Sequence, residues 1–163
     1  MASGDGVLSF SANEVMALAG KAARGAGAPP AQAAQFGRAA VAHLLAGRDP
    51  EMLKAALASL PQGPILSVPR SLDRIAEGGE SGLSMDTALV RSYLETLPHA
   101  AWIDAAGRVV VDLAAPNRLR LAGRIDLDRD TVAQWSALAA RILVPETEAS
   151  RRAGAGAGLT DND

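Results

Sequence analysis

Three observations on the sequence predict an α+β fold. Apolar residues recur with helical spacing through the first 60 residues and again near residue 130. Alternation with a period of two replaces that spacing between Ala100 and Leu127. Helices and strands also come in blocks rather than in strict alternation, which disfavours a parallel α/β sheet. The expected order is an N-terminal helical unit, a three-stranded antiparallel meander, a C-terminal helix and a Gly/Ala-rich closing segment. The 163 residues read as a single domain: 1–60 a three-helix unit, 61–84 an irregular connector, 85–145 helix, sheet and helix, and 146–163 a C-terminal segment.

Residues 1–10 read as loose apart from Val7, Leu8 and Phe10. Ser11 opens "SANE", where its hydroxyl caps a helix start and Glu14 reciprocates as a capping box. Val15, Leu18, Ala19 and Ala22 give that helix one apolar face. Gly25, Gly27 and Pro29–Pro30 end it. A second helix, from about Ala31 to Ala46, carries Phe36, Ala40 and Leu44 on one stripe and closes at Gly47. Asp49–Pro50–Glu51 restarts the chain as a cap, a first-turn proline and a favourable charge at the helix dipole. Met52, Leu53, Ala56, Leu57 and Leu60 make the third helical face.

The three prolines of "PQGPILSVP" predict an extended connector, followed by one or two helical turns in "SLDRIAEGG". Ser84 or Asp86 is expected to start a fourth helix that Pro98 stops. "AAWID" and "RVVVDL" around "AAGR" predict a hairpin. Arg118 to Leu127 reads as the third strand. Leu119, Leu121, Gly123, Ile125 and Leu127 form its apolar face, and Arg118, Arg120 and Arg124 stand on the charged one. Asp128 or Asp130 is the expected cap of a last helix, with Val132, Trp135, Leu138, Ala139 and Ile142 buried and Pro145 as the stop.

Aromatic residues are only 3% of the chain, so Ala, Leu, Val and Ile must fill the core. Small side chains fill space when helices approach closely. The formal net charge of −2, with no basic excess in either half, disfavours nucleic-acid binding. There is no cysteine, which removes disulfides, thiolate chemistry and iron–sulfur ligation. His43 and His99 sit in no ligand-spaced motif, so neither a metal nor a cofactor is expected. His43 reads as a satisfied histidine beside an apolar stripe, and His99 as a loop residue. No apolar run is long enough for a membrane span, and the opening lacks a signal-peptide pattern. A soluble cytoplasmic chain is the expectation.

The closing "SRRAGAGAGLTDND" alternates Ala and Gly from Ala153 to Gly158. Its G-x-G-x-G spacing differs from both phosphate-loop patterns, and it follows a helix rather than a strand. Three readings stay open: a loose tail, an extended segment packed close to another backbone, or a nest of amides for an anion. The candidate ligand residues are Arg118, Arg120, Arg151, Arg152, Gly154, Gly156, Gly158 and Asp161. Arginine pairs bidentately with carboxylate and phosphate, but the simpler reading of Arg118, Arg120 and Arg124 is cross-strand pairing with carboxylates such as Asp104 or Asp112. Asp126, Asp128 and Asp130 lack the Gly and Glu of a calcium loop and read as helix caps. No spacing points to a catalytic residue.

Two stretches carry a resemblance. "LSFSANEVMALAGKAARGAGAPPAQAAQFGRAA" (Leu8–Ala40) resembles the opening of an uncharacterised bacterial family known only as a domain of unknown function. "TVAQWSALAARILVPETEASRRAGAGAGLTDND" (Thr131–Asp163) is similar to that family's closing segment, in which VP, E-x-SR, GAGAG and TDND recur together. Its usual members carry a longer, cysteine-containing middle that this chain lacks. The helix–Gly–helix opening also resembles the start of the non-Rossmann malate/lactate dehydrogenases, although the chain is too short for that enzyme and no NAD is inferred. The family resemblance implies that the segment through Asp163 belongs to the folded protein. The expected function is a small, non-catalytic binding or assembly protein that self-associates. The alternative is a small enzyme or ligand-binding domain that recognises an anionic small molecule through the arginines and the C-terminal segment.

Overall fold

Alanine and glycine set how closely the helices of this chain approach. The computed structural model describes residues 6–79 and 87–143. Its elements are β1 (Val7–Ser11), α1 (Ala12–Gly25), α2 (Pro30–Leu45), α3 (Glu51–Ala58), α4 (Pro64–Ala76), α5 (Ala88–Leu94), β2 (His99–Ile103), β3 (Val109–Pro116), β4 (Arg124–Asp128) and α6 (Arg129–Ala140). The α+β class holds. The sheet is not a three-stranded meander: β1 pairs antiparallel with β4, and β2 pairs antiparallel with β3, in two separate sheets.

Ala19, Ala22 and Ala23 of α1 and Ala33, Ala39 and Ala40 of α2 are buried. At Gly37 of α2 a Cβ would stand 2.6 Å from the Met16 carbonyl oxygen of α1. At Gly25 of α1 it would stand 1.7 Å from the Leu138 carbonyl oxygen of α6. Real side chains do not approach that closely, so α1 meets both neighbours backbone to backbone. Phe36 and Trp135 then supply bulk on either side of α1, and both are fully buried.

Local signals place the helix ends. Ser11 Oγ accepts from the Glu14 amide at 3.3 Å, and Glu14 Oε2 accepts from the Ser11 amide at 2.7 Å, completing the expected capping box. Asp128 caps α6 by accepting from the Thr131 amide at 2.7 Å and its hydroxyl at 2.6 Å. Thr87 caps α5 through the Val90 amide at 3.2 Å; the expected starts at Ser84 and Asp86 lie outside the described residues.

Two sequence expectations are corrected here. The proline-rich stretch is helix α4 rather than an extended connector. Gly63, at φ +81°, turns the chain, and Pro64 occupies the first turn, where its missing N–H is harmless. Ile65, Val68 and Leu72 are buried along one face, and this burial outweighs the interior Pro69, which is itself buried. The strand expected from Arg118 is confined to its second half. Asn117 Oδ1 accepts from the Leu119 amide at 2.9 Å, an Asx turn, and Gly123 sits at φ +134°. Arg118 to Ala122 therefore form a connection, and β4 begins only at Arg124.

Within β4 the expected alternation is present: Ile125 and Leu127 are buried, whereas Arg124, Asp126 and Asp128 are exposed. Its partner is β1, where the sequence predicts loose chain. Phe10 lies opposite Ile125 and Leu8 opposite Leu127, so β1 adds its half-buried apolar face to the same layer. Arg124 pairs with neither Asp104 nor Asp112; it donates to the Ser9 carbonyl at 2.6 Å and the Ser9 hydroxyl at 3.1 Å. The β2–β3 hairpin forms as expected, its turn held by Asp104, which accepts from the Ala106 and Arg108 amides at 2.9 Å. His99 is the first residue of β2 rather than a loop residue.

Substituting Gly37→Ala should lower stability to urea by about 1–3 kcal/mol, because the added methyl forces α1 and α2 apart. Gly20→Ala, whose Cβ would meet the Ala33 carbonyl at 3.4 Å, should change it by less than about 1 kcal/mol, helix propensity offsetting the contact.

Candidate functional site

Where α2 ends, Leu44 and Leu45 give way to Ala46 and Gly47, and Gly47 at φ +66° reverses the chain into Arg48 and Asp49. This reversal brings the backbone back over the last turn of α2 and sets a polar cluster against α5. His43 is fully buried. Its Nε2 lies 2.8 Å from the Asp49 carbonyl oxygen, which only accepts, so Nε2 carries the proton of the neutral ring. Nδ1 is then the acceptor, 2.9 Å from Ser92 Oγ on α5. Ser92 Oγ in turn accepts from Arg48 Nη1 at 2.9 Å. The Arg48 guanidinium forks onto both carboxylate oxygens of Glu95, with Nη1 donating to Oε2 at 2.7 Å and Nη2 to Oε1.

Arg48 donates to Ser92 and His43 donates to the backbone of Asp49, while the single Ser92 hydroxyl proton has two acceptors 2.9 Å away, His43 Nδ1 and the Ala88 carbonyl one turn back on α5. Burial depresses the His43 pKa below its ordinary value of 6.5; the bond to Asp49 opposes this and the Arg48 charge adds to it. A serine beside a neutral histidine has the composition of a nucleophile and base. Here the Ser92 hydroxyl is fully buried and its oxygen is already engaged by Arg48. The pair ties α2 to α5. Asn117 extends the tie to the sheet, donating to the Glu95 and Leu97 carbonyls at 2.6 and 2.9 Å.

Two clefts open on either side of Glu95. One, of about 500 Å³, lies between Arg48, α5 and β2, and is lined by Arg91, Trp102 and Asp104 among others. The other, of about 400 Å³, runs from Leu45 to Leu119, Arg120 and Leu121. Trp102 is 47% exposed, Leu119 50% and Leu45 38%. Three large exposed apolar side chains thus line clefts that share Glu95, together with Arg48, Arg91, Arg120 and Asp104.

Of the residues singled out on sequence, Arg120 lines the second cleft beside Glu95, while Arg118 is exposed on the same connection and lines neither cleft. Arg151, Arg152, Gly154, Gly156, Gly158 and Asp161 lie outside the described residues. Sequence reasoning passed over Arg48, Ser92, Glu95 and Trp102. Arg48 meets Ser92 and Glu95 across separations of 44 and 47 residues, for which a single sequence carries no local signal. Trp102 had one: it and Ala100 occupy the face of β2 opposite to Ala101 and Ile103, which pack on the core.

A third recess, of about 120 Å³, lies between α2, α4 and α5 and is lined by Gln35 and Tyr93. Burial raises the Tyr93 pKa. The Gln35 Oε1 and Tyr93 hydroxyl are both buried and have no hydrogen-bond partner among the described residues. No helix among the described residues is long and apolar enough to cross a membrane. Comparison with protein-family models finds no match, and neither the curated proteins nor the solved structures return one.

A histidine whose folded pKa is depressed stabilises the fold fully above the unfolded value near 6.5, and that contribution is lost as pH falls. The melting temperature should therefore drop between about pH 7.5 and about pH 5.5 in the wild type and stay flatter in His43→Gln. The carboxylates with lowered pKa, Glu14, Asp104 and Asp128, act at lower pH, since their ordinary values are 4.5 and 3.8. Tyr93→Phe should leave stability unchanged or raise it by up to about 1 kcal/mol, because the hydroxyl it removes is buried without a partner among the described residues.

Proposed function

We propose that the chain is a small, non-catalytic binding or assembly protein that self-associates through the face around Glu95. One observation carries the proposal: Leu45, Trp102 and Leu119, all at least 38% exposed, line two clefts that share Glu95. An aromatic anchor among aliphatic and arginine side chains is the composition of interface centres. The surrounding charges are of both signs, three arginines and two carboxylates. A patch of mixed sign suits a two-fold contact, in which each residue meets the same surface on the other copy.

The polar chemistry of the site supports the same reading. Arg48, Ser92, His43 and Glu95 use their hydrogen-bonding groups on one another, which shapes the face and leaves no buried nucleophile open to a substrate. The anion-binding alternative has Arg120 beside the Glu95 carboxylate, whose negative charge opposes an anionic ligand in that cleft.

Sedimentation equilibrium should find the wild-type chain associating at micromolar concentration. Trp102→Ala should weaken that association by about 2 kcal/mol, roughly thirtyfold in Kd. Trp102 is exposed, so the variant should keep its melting temperature at low concentration. A wild-type chain that stays monomeric throughout removes the proposal, and a thermal-shift response to small organic acids or phosphate in that chain would favour the alternative.

A further inference from the structure

Tyr93 on α5 is 2% exposed, yet its hydroxyl has no hydrogen-bond partner among the described residues. Gln35 Oε1 on α2 is buried and unpartnered in the same way. Phenylalanine and leucine would fill such places without the cost of stripping a polar group of water. Both side chains line the recess between α2, α4 and α5, and they are not bonded to one another. Gln35 Oε1 only accepts. The Tyr93 hydroxyl, whose pKa burial raises, stays protonated and can donate. An aliphatic hydroxyl placed between them donates to the first and accepts from the second.

The walls and the mouth narrow the choice. Pro69 and Leu72 of α4 give the recess an apolar side. Arg38 and Asp73 also line it and both are exposed, so opposite charges stand where it meets solvent. Among the described residues neither forms an ion pair. The Thr96 carbonyl accepts from Arg38 Nη2 at 3.0 Å and holds the guanidinium in place. The volume is about 120 Å³. A cavity of about 150 Å³ takes benzene, so this one admits roughly four or five heavy atoms. That is a short side chain with its α-carbon, not a nucleotide or a sugar.

We propose that this recess binds a free hydroxy amino acid of the serine or threonine type. Its side-chain hydroxyl bridges Gln35 Oε1 and the Tyr93 hydroxyl, and the β-methyl of threonine faces Pro69 and Leu72. At the mouth its carboxylate meets Arg38 and its ammonium meets Asp73. The recess shares no lining residue with either cleft at Glu95, so this site stands apart from the self-association face.

Tyr93 is the single tyrosine of the chain, so an isotope label in the tyrosine ring, read by NMR, reports on the recess alone. L-Threonine should shift that signal saturably, with a Kd between about 0.1 and 1 mM. L-Valine has the same shape without the hydroxyl. It should bind at least about tenfold more weakly, since it leaves both polar groups unpaired. Arg38→Gln and Asp73→Asn change exposed residues and should keep the fold, and each should weaken threonine binding by about tenfold. Tyr93→Phe should melt no lower than the wild type and lose threonine binding by calorimetry. No saturable shift with L-threonine or L-serine at about 20 mM, an equal response to threonine and valine, or binding indifferent to both charge changes would each overturn the proposal.

Discussion

Direct contact between the backbones of α1 and its neighbours organises the described fold. The Met16 carbonyl faces Gly37 of α2, and the Leu138 carbonyl of α6 faces Gly25 of α1. At this spacing the side chains between the helices must be alanines, and the large residues move to the flanks. A core with so few aromatics still closes, because the missing volume is replaced by nearer backbone. The same geometry fixes the sheets. With α6 held along α1, the strands leading into both helices, β4 and β1, lie side by side and pair.

The polar cluster at His43 depends on that frame and completes it. The short helix α5 buries Leu89, Val90, Tyr93 and Leu94, whereas the reversal from Leu45 to Gly47 is exposed and buries little of its own. Ser92 and Glu95 accept from Arg48, and Ser92 in turn contacts His43, so three separate pieces of chain become one unit. Each member satisfies another, and removing one leaves a buried group without a partner. The cost of such a cluster is its sensitivity to protonation; its benefit is a single orientation of α5 relative to the hairpin. That orientation sets Trp102 and Leu119 on either side of Glu95.

Features decided within a few residues were legible in the sequence. The Ser11–Glu14 capping box, the Asp128 cap, the hairpin at "AAGR" and the helices of the N-terminal unit are all local. Features that need a distant partner were not. The β1 strand is five residues with no periodic length, and its partner lies more than a hundred residues onward. α4 was masked by its prolines, since each reads as a break unless the burial of Ile65, Val68 and Leu72 is known. Leu119 was assigned to a buried strand face and is half exposed, because the Asx turn at Asn117 interrupts the strand. The site followed the same division: Arg120 was marked by its charge, whereas Trp102, Arg48, Ser92 and Glu95 acquire meaning only once α5 and the hairpin are placed.

The pairing of β1 with β4 also orders events during synthesis. β1 is translated well before the strand it needs, which is not made until residues 124–128. The α1–α2 contact, local and rich in alanine, can form long before that. The nascent chain therefore carries Leu8, Phe10 and an open strand edge through most of its elongation, with Ser11 already fixing the start of α1. Closing so long a loop late adds little entropy per extra residue, but it makes the final step a long-range one. Docking of β4 and α6 onto a preformed helical pair would then be the slow, committing stage of folding.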